Sequence, residues 1–166
     1  STIVNYGLKV IPEDACFVNA SFGHGFENDD LYVKGQLHPG CVVIPAALAV
    51  GERDNISGET LILAIVAGYD VAARIGGATR VSPLFHPTST LGPFGAAAAA
   101  CKVLKIDDVE VARNALSIAS SFCGGLGEFG DTGGTHKRMH AGMASRGGLM
   151  AAFLAQRGLV GPGAAI

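Results

Sequence analysis

The chain has 166 residues, 49% of them hydrophobic and 16% charged, with a net charge of −2. That is enough for one domain with a real core, and it excludes a disordered chain. No lysine-arginine run is present, so the electrostatic footprint of a nucleic-acid or anionic-membrane binder is lacking and neither partner is expected.

Cys16, Cys41, Cys101 and Cys123 are widely spaced, form no C-x-x-C and sit in apolar stretches, the pattern of buried free thiols in a reducing compartment. A cytoplasmic location is expected. The longest uninterrupted apolar runs, such as Leu61–Ala67 and Gly95–Cys101, fall short of the roughly 20 residues of a membrane helix, so no span is expected. The chain opens without an initiator methionine or a signal-peptide pattern and stops without a charged tail, which predicts a piece of a longer protein.

In chain order, Ile11–Glu27 has a proline near its start, acids in the first turn and then apolar residues at helical spacing, and so predicts the first helix. Cys41–Glu52 is apolar nearly all round, as a buried helix is, with Pro45 expected near the first turn. Ser57 precedes Gly58–Ala78, a long 3.6-period run closed by arginine and glycine. A loop is expected over Thr79–Pro93, followed by the alanine-rich helix Phe94–Ile106, whose small residues permit close helix approach. Asp107–Cys123 starts with acids and keeps an apolar face, and Ala141–Gly158 is the last helix. Strand-like alternation is confined to scraps such as Cys41–Ile44, and no internal repeat is evident. The expected fold class is all-α, with residues 1–166 forming part of one helical domain.

The glycine-rich stretch Gly124–His140 contains G-x-G-x-x-G at Gly125, Gly127 and Gly130. A dinucleotide fingerprint needs a strand before it, a helix directly after it and an acid about 20 residues on. Here a predicted helix precedes and a loop follows, so a nucleotide cradle is not supported. His136 and His140 are four apart, as zinc ligands on one helix face are, but Lys137 stands where H-E-x-x-H has its glutamate. A cation there opposes a metal, and the other reading is a hydrogen-bonded pair of histidines where a helix begins.

Three further clusters mix glycine, proline and titratable groups: His24–Asp30, Lys34–Gly40 and Leu84–Pro93. Singly, each has a plain explanation as a cap or a solvated turn. Together, histidines, carboxylates and a lysine in the loops of a chain otherwise poor in charge point to one polar site. Such a set suits an anionic substrate, with lysine and protonated histidine binding carboxylates and a neutral histidine or carboxylate taking a proton.

With Val18–Asp30, His38–Glu52, Gly68–Gly76, Phe85–Leu104 and His136–Pro162 in this order, the sequence resembles the MmgE/PrpD family of dehydratases, decarboxylases and epimerases. The resemblance implies the middle of that family's helical domain, without its smaller α/β lid, a homodimer, and no cofactor or metal. By position it implies His38, His86 and Lys137 as pocket residues. Glu27 aligns with an active-site aspartate, and Asp29 and Asp30 with the acidic pair after it. Asp30, Lys34, Thr88 and His140 are expected to bind substrate.

Glu27 is one methylene longer than the family's aspartate, and Leu31 or Tyr32 stands where a threonine often follows the acids, which reshapes the pocket. The expected activity is a lyase that removes a proton or carbon dioxide next to a carboxylate of a small polycarboxylic acid. His38 or His86 would serve as base and acid, Lys137 would hold a carboxylate, and Glu27 would orient a histidine or protonate the product. A 2-methylcitrate dehydratase-like reaction of propionate metabolism is the first expectation, with cis-aconitate-type decarboxylation or epimerisation as the alternative. A reading of another class is a non-catalytic helical module for oligomerisation or acid binding, which would leave His38, His86 and Lys137 scattered over the surface.

Overall fold

The structure is a computed structural model, and it describes residues 1–165. Helices dominate: α1 (Pro12–Gly23), α2 (Gly40–Asp54), α3 (Gly58–Ala78), α4 (Pro87–Val103), α5 (Val109–Ala119), the single turn α6 (Phe129–Thr132) and α7 (Lys137–Gln156). The only paired strands among the described residues are β1 (Thr2–Ile3) and β2 (Leu8–Lys9), a two-residue antiparallel hairpin. The all-α expectation holds.

Local signals explain most boundaries. Ser57 caps α3 by accepting a hydrogen bond from the Thr60 N–H, and Asp108 caps α5 by accepting from Glu110 and Val111. α1 ends at Gly23, short of the expected Glu27, because the chain turns there and Glu27 takes a left-handed φ of 56°. Pro45 lies inside α2, beyond the first turn. α4 begins seven residues before the expected Phe94, with Pro87 in its first turn and Pro93 in its interior, so the segment expected as loop is half helix. α7 starts at Lys137 rather than Ala141.

α4 is the central helix, touching α2, α3, α5 and α7, while α7 also lies along α1 and α2. Close approach is made by small residues. A Cβ on Gly148 would stand 2.3 Å from the Pro93 carbonyl oxygen, and one on Gly95 2.9 Å from that of Gly68. Fully buried alanines (Ala96, Ala97, Ala99 and Ala100 on α4; Ala144, Ala151 and Ala152 on α7) fill the rest of the seam. The result is a core of short side chains in which backbones nearly touch, and this rigid seam fixes the starts of α2, α4 and α7 at one end.

α3 is long and apolar enough to cross a bilayer by length and composition, a correction to the estimate from uninterrupted runs, which Gly68, Tyr69 and Asp70 break. Its Ala64, Gly68, Ala72 and Gly76 are buried in the bundle, whereas Ile62, Leu63 and Val66 are exposed.

Candidate active site

The site forms where α1 ends and α2, α4 and α7 begin. His24 is the residue after α1 and is fully buried. The following loop is pinned by Asp30, whose Oδ1 accepts a hydrogen bond from the Gly40 N–H (3.1 Å) at the start of α2. Burial and the neighbouring Asp30 carboxylate raise the pKa of the Tyr69 phenol of α3. With Asp30 so engaged, its neighbour Asp29 places Oδ2 2.8 Å from His24 Nδ1 and 3.5 Å from His38 Nδ1.

His38 precedes Pro39 and is held by its backbone. Its N–H donates to the buried Thr88 Oγ1 (3.1 Å), and its carbonyl accepts from the Cys41 thiol (3.2 Å). His86 stands immediately before α4, and its N–H donates to the Gly125 carbonyl (2.9 Å). The glycine-rich loop thus lies against the segment entering α4, with Phe85 and Leu126 forming an isolated antiparallel bridge. Gly125 has a φ of 86°, and a Cβ on it would meet Ser89 Oγ at 2.8 Å and His140 Cδ2 at 3.2 Å. Gly125 therefore serves a left-handed turn and close approach, and Gly127, whose Cβ would stand 2.8 Å from the Pro83 carbonyl oxygen, serves close approach.

All five histidines of the chain join one cluster. Ring centroids run His38 to His24 at 4.9 Å, His24 to His86 at 5.6 Å, His86 to His140 at 5.3 Å and His140 to His136 at 5.4 Å. Phe129 of α6 sets its ring edge-on to His86 (5.0 Å) and His140 (5.8 Å). At the rim, Lys137, the first residue of α7, donates from Nζ to Glu27 Oε2 (2.5 Å) and lies 5.2 Å from the centre of the Phe129 ring. Glu27 is half-exposed, so the cluster opens on this side.

The electrostatics favour neutral rings at depth. Burial, then the neighbouring His140, His24, Lys137 and His38, push His86 down to about 3. Burial, then His136, His24 and Lys137, lower His140. Asp29 goes the other way: burial raises its carboxyl, but the hydrogen bond and charge of His24 outweigh this and leave it below the ordinary carboxylate value. His24 Nε2, Asp29 Oδ1 and His38 Nδ1 are buried without a hydrogen-bond partner among the described residues.

His24, Asp29 and His38 bring three ligand-type atoms within 4.8 Å of one another. The shortest of these contacts is accounted for by the His24–Asp29 hydrogen bond, and we read the trio as a hydrogen-bonded group rather than a metal centre.

Of the residues expected from sequence, Glu27, His38, His86, Lys137 and His140 come together. Three others are placed differently. Lys34 is exposed and lines a separate surface cleft with Gly35, Gln36, Thr79 and Arg80. Thr88 is fully buried and accepts the His38 N–H, and the exposed Asp30 accepts the Gly40 N–H, so both hold the backbone of the site. Sequence reasoning did not single out His24 or Phe129. His24 lies in the His24–Asp30 cluster, and its only local signal was a carboxylate five residues on.

A helical bundle that gathers every histidine at one end, with a lysine–carboxylate pair at the rim, defines an all-α domain with one polar site. The chain belongs to the MmgE/PrpD family, and residues 1–166 match the MmgE/PrpD N-terminal domain. It is 34% identical over 162 residues to the cis-aconitate decarboxylase of Homo sapiens, covering 93% of this chain and 33% of that protein. It is 34% identical over 167 residues to the cis-aconitate decarboxylase of Aspergillus terreus, covering 94% of this chain and 33% of that protein. Identity to the cis-aconitate decarboxylase-like protein oryM of Aspergillus oryzae is 32% over 173 residues, covering 96% of this chain and 35% of that protein. The chain spans about a third of the length of these relatives.

Proposed function

We propose that the full-length protein is a cofactor-independent lyase acting on a small polycarboxylate by transfer of a proton at a carbon next to a carboxylate, with decarboxylation of a cis-aconitate-like acid as its reaction. The observation that carries this is the Lys137–Glu27 pair beside the histidine cluster. A lysine aimed at a carboxylate, with buried rings behind it, is the arrangement that binds one carboxylate of a substrate and shields the charge that develops beside it. The names of the relatives favour decarboxylation over the dehydration expected first.

The residues divide the work. Lys137 exchanges Glu27 for the substrate carboxylate, and its charge stabilises the enolate-like density left when carbon dioxide departs. His86 and His140, held neutral by burial, offer hydrogen bonds without adding charge.

A homodimer forms part of this proposal, with the exposed Ile62, Leu63 and Val66 of α3 as apolar surface available to cover. A cytoplasmic setting is also part of it: Cys16, Cys41, Cys101 and Cys123 are all free, and burial raises their thiols, Cys101 to about 12 and Cys123 to about 11. The test is incubation of the purified full-length protein with cis-aconitate and with 2-methylcitrate. The proposal expects carbon dioxide from the first and no loss of water from the second; the reverse would restore the dehydratase reading.

A further inference from the structure

His24 is the most buried histidine of the cluster, yet neither the sequence motifs nor the relatives' names give it a task. Its Nδ1 lies 2.8 Å from Asp29 Oδ2. Asp29 is held as a carboxylate and only accepts, so His24 Nδ1 carries the proton and donates it. That leaves Nε2 as the nitrogen free to exchange a proton with a substrate. It is fully buried, makes no hydrogen bond among the described residues and lies 3.8 Å from Glu27 Oε1. The second oxygen of that carboxylate is the one on Lys137.

We propose that His24, oriented by Asp29, is the proton-transferring group of this site, and that His38 and His86 flank it. The inference rests on the polycarboxylate reading above and deepens it. A substrate carboxylate that takes the place of Glu27 on Lys137 brings its adjacent carbon to the nitrogen that faces this pair. His86, stacked on His24 with its plane 19° away, and His38, 4.9 Å off on the other contact, hold the ring in place.

For decarboxylation the balance is as follows. The bond between the departing carboxylate and its neighbouring carbon breaks, carbon dioxide leaves, and the electron pair stays on that carbon, delocalised toward the remaining carboxylate. The imidazolium form of His24 then gives its Nε2 proton to the carbon, forming the new C–H bond, and returns to the neutral ring. Glu27, half-exposed and 3.8 Å away, links Nε2 to solvent for reprotonation. Asp29 stabilises the cationic ring that this step consumes and keeps Nδ1 as the donor, the part a buried carboxylate plays behind a histidine base.

The test uses the full-length protein and two independent readouts. First, 15N NMR of histidine-labelled protein at neutral pH reports the tautomer without any substrate. The proposal expects His24 protonated at Nδ1, with Asp29→Asn abolishing that preference; a ring protonated at Nε2 and bare at Nδ1 in the wild type would overturn it. Second, on cis-aconitate, His24→Gln is expected to lower kcat about a hundred-fold or more with KM within a few-fold. Asp29→Asn should lower kcat less, and Asp29→Glu should recover part of that loss. A folded His24→Gln protein with kcat within three-fold of the wild type sinks the proposal. A wild type inactive on every polycarboxylate counts against the functional reading alone, and the tautomer measurement still decides the state of His24.

Discussion

The Nδ1 atoms of His86 and His140 face each other at 3.2 Å, inside the protein. Only one of the two can carry a proton there, so one ring donates and the other accepts, and the pair has no room for a second charge. This ties the stability of the domain to acid. A histidine whose pKa falls on folding, as that of His86 does to about 3, takes up its proton in the unfolded chain first. It costs nothing above about pH 6.5, and stability is lost as pH falls from there toward 3, by up to about 1.4 kcal/mol per pH unit. Urea unfolding of the full-length protein between pH 7 and 5 should show this decline, and His86→Gln should flatten it.

Lys137 is bound to the rest of the domain through Glu27, 110 residues away in sequence, in a pair that is partly open to solvent. Such a pair contributes within about 1 kcal/mol to stability. Lys137→Ala is therefore expected to leave the melting temperature nearly unchanged while lowering kcat/KM about a hundred-fold, the scale of losing one charge-stabilising donor. Steady-state kinetics alongside circular dichroism separate the two effects. Near-normal turnover would remove Lys137 from the mechanism.

Thr88 supports His38 by accepting its backbone N–H at a fully buried position. Replacing it with valine keeps the shape and leaves that N–H unpaired, at a cost of about 1–3 kcal/mol. Thr88→Val should lower both stability and turnover, and Thr88→Ser should restore most of each, as read by denaturant midpoints and initial rates.

Gly148 tests the seam that positions the site. A Cβ there would stand 2.3 Å from the Pro93 carbonyl oxygen and 2.5 Å from the Ala96 Cβ, whereas one on Gly58 would meet nothing within 4 Å. Gly148→Ala should destabilise by about 1–3 kcal/mol, the cost of overpacking a tight core. Gly58→Ala at the start of α3 should be neutral or slightly stabilising. Thermal melts of the two variants side by side make the comparison.

The legible parts of the fold are those with local causes. α3 runs over the expected Gly58–Ala78 because Ser57 caps it and a 3.6-residue period carries it through. α4 was half hidden because Pro87 and Pro93 read as loop punctuation, although Pro87 needs no N–H partner in a first turn and Pro93 is accommodated where α7 presents glycine. The β1–β2 hairpin and α6 are too short to leave a periodic signal.

The candidate site divides in the same way. Glu27, His38, His86, Lys137 and His140 lie in the glycine-rich loop clusters that stood out, and the family resemblance is what singled them out within those clusters. What Thr88, Asp30 and His24 do is decided by neighbours from other elements, at Gly40, Tyr69, His38 and His86, and spacing along the chain does not encode those contacts. Lys34 shared the composition of the site loops, but it faces the cleft at the end of α3 instead.

The most direct test of proton transfer beside a carboxylate is proton NMR of the full-length protein in deuterated water with cis-aconitate, citrate, 2-methylcitrate and a few amino-dicarboxylates in separate tubes. The account predicts that cis-aconitate is consumed, that carbon dioxide is released, and that the dicarboxylic acid product carries deuterium at the carbon that gains a proton. Unchanged spectra with every acid would contradict it and leave the histidine cluster as a binding site without turnover.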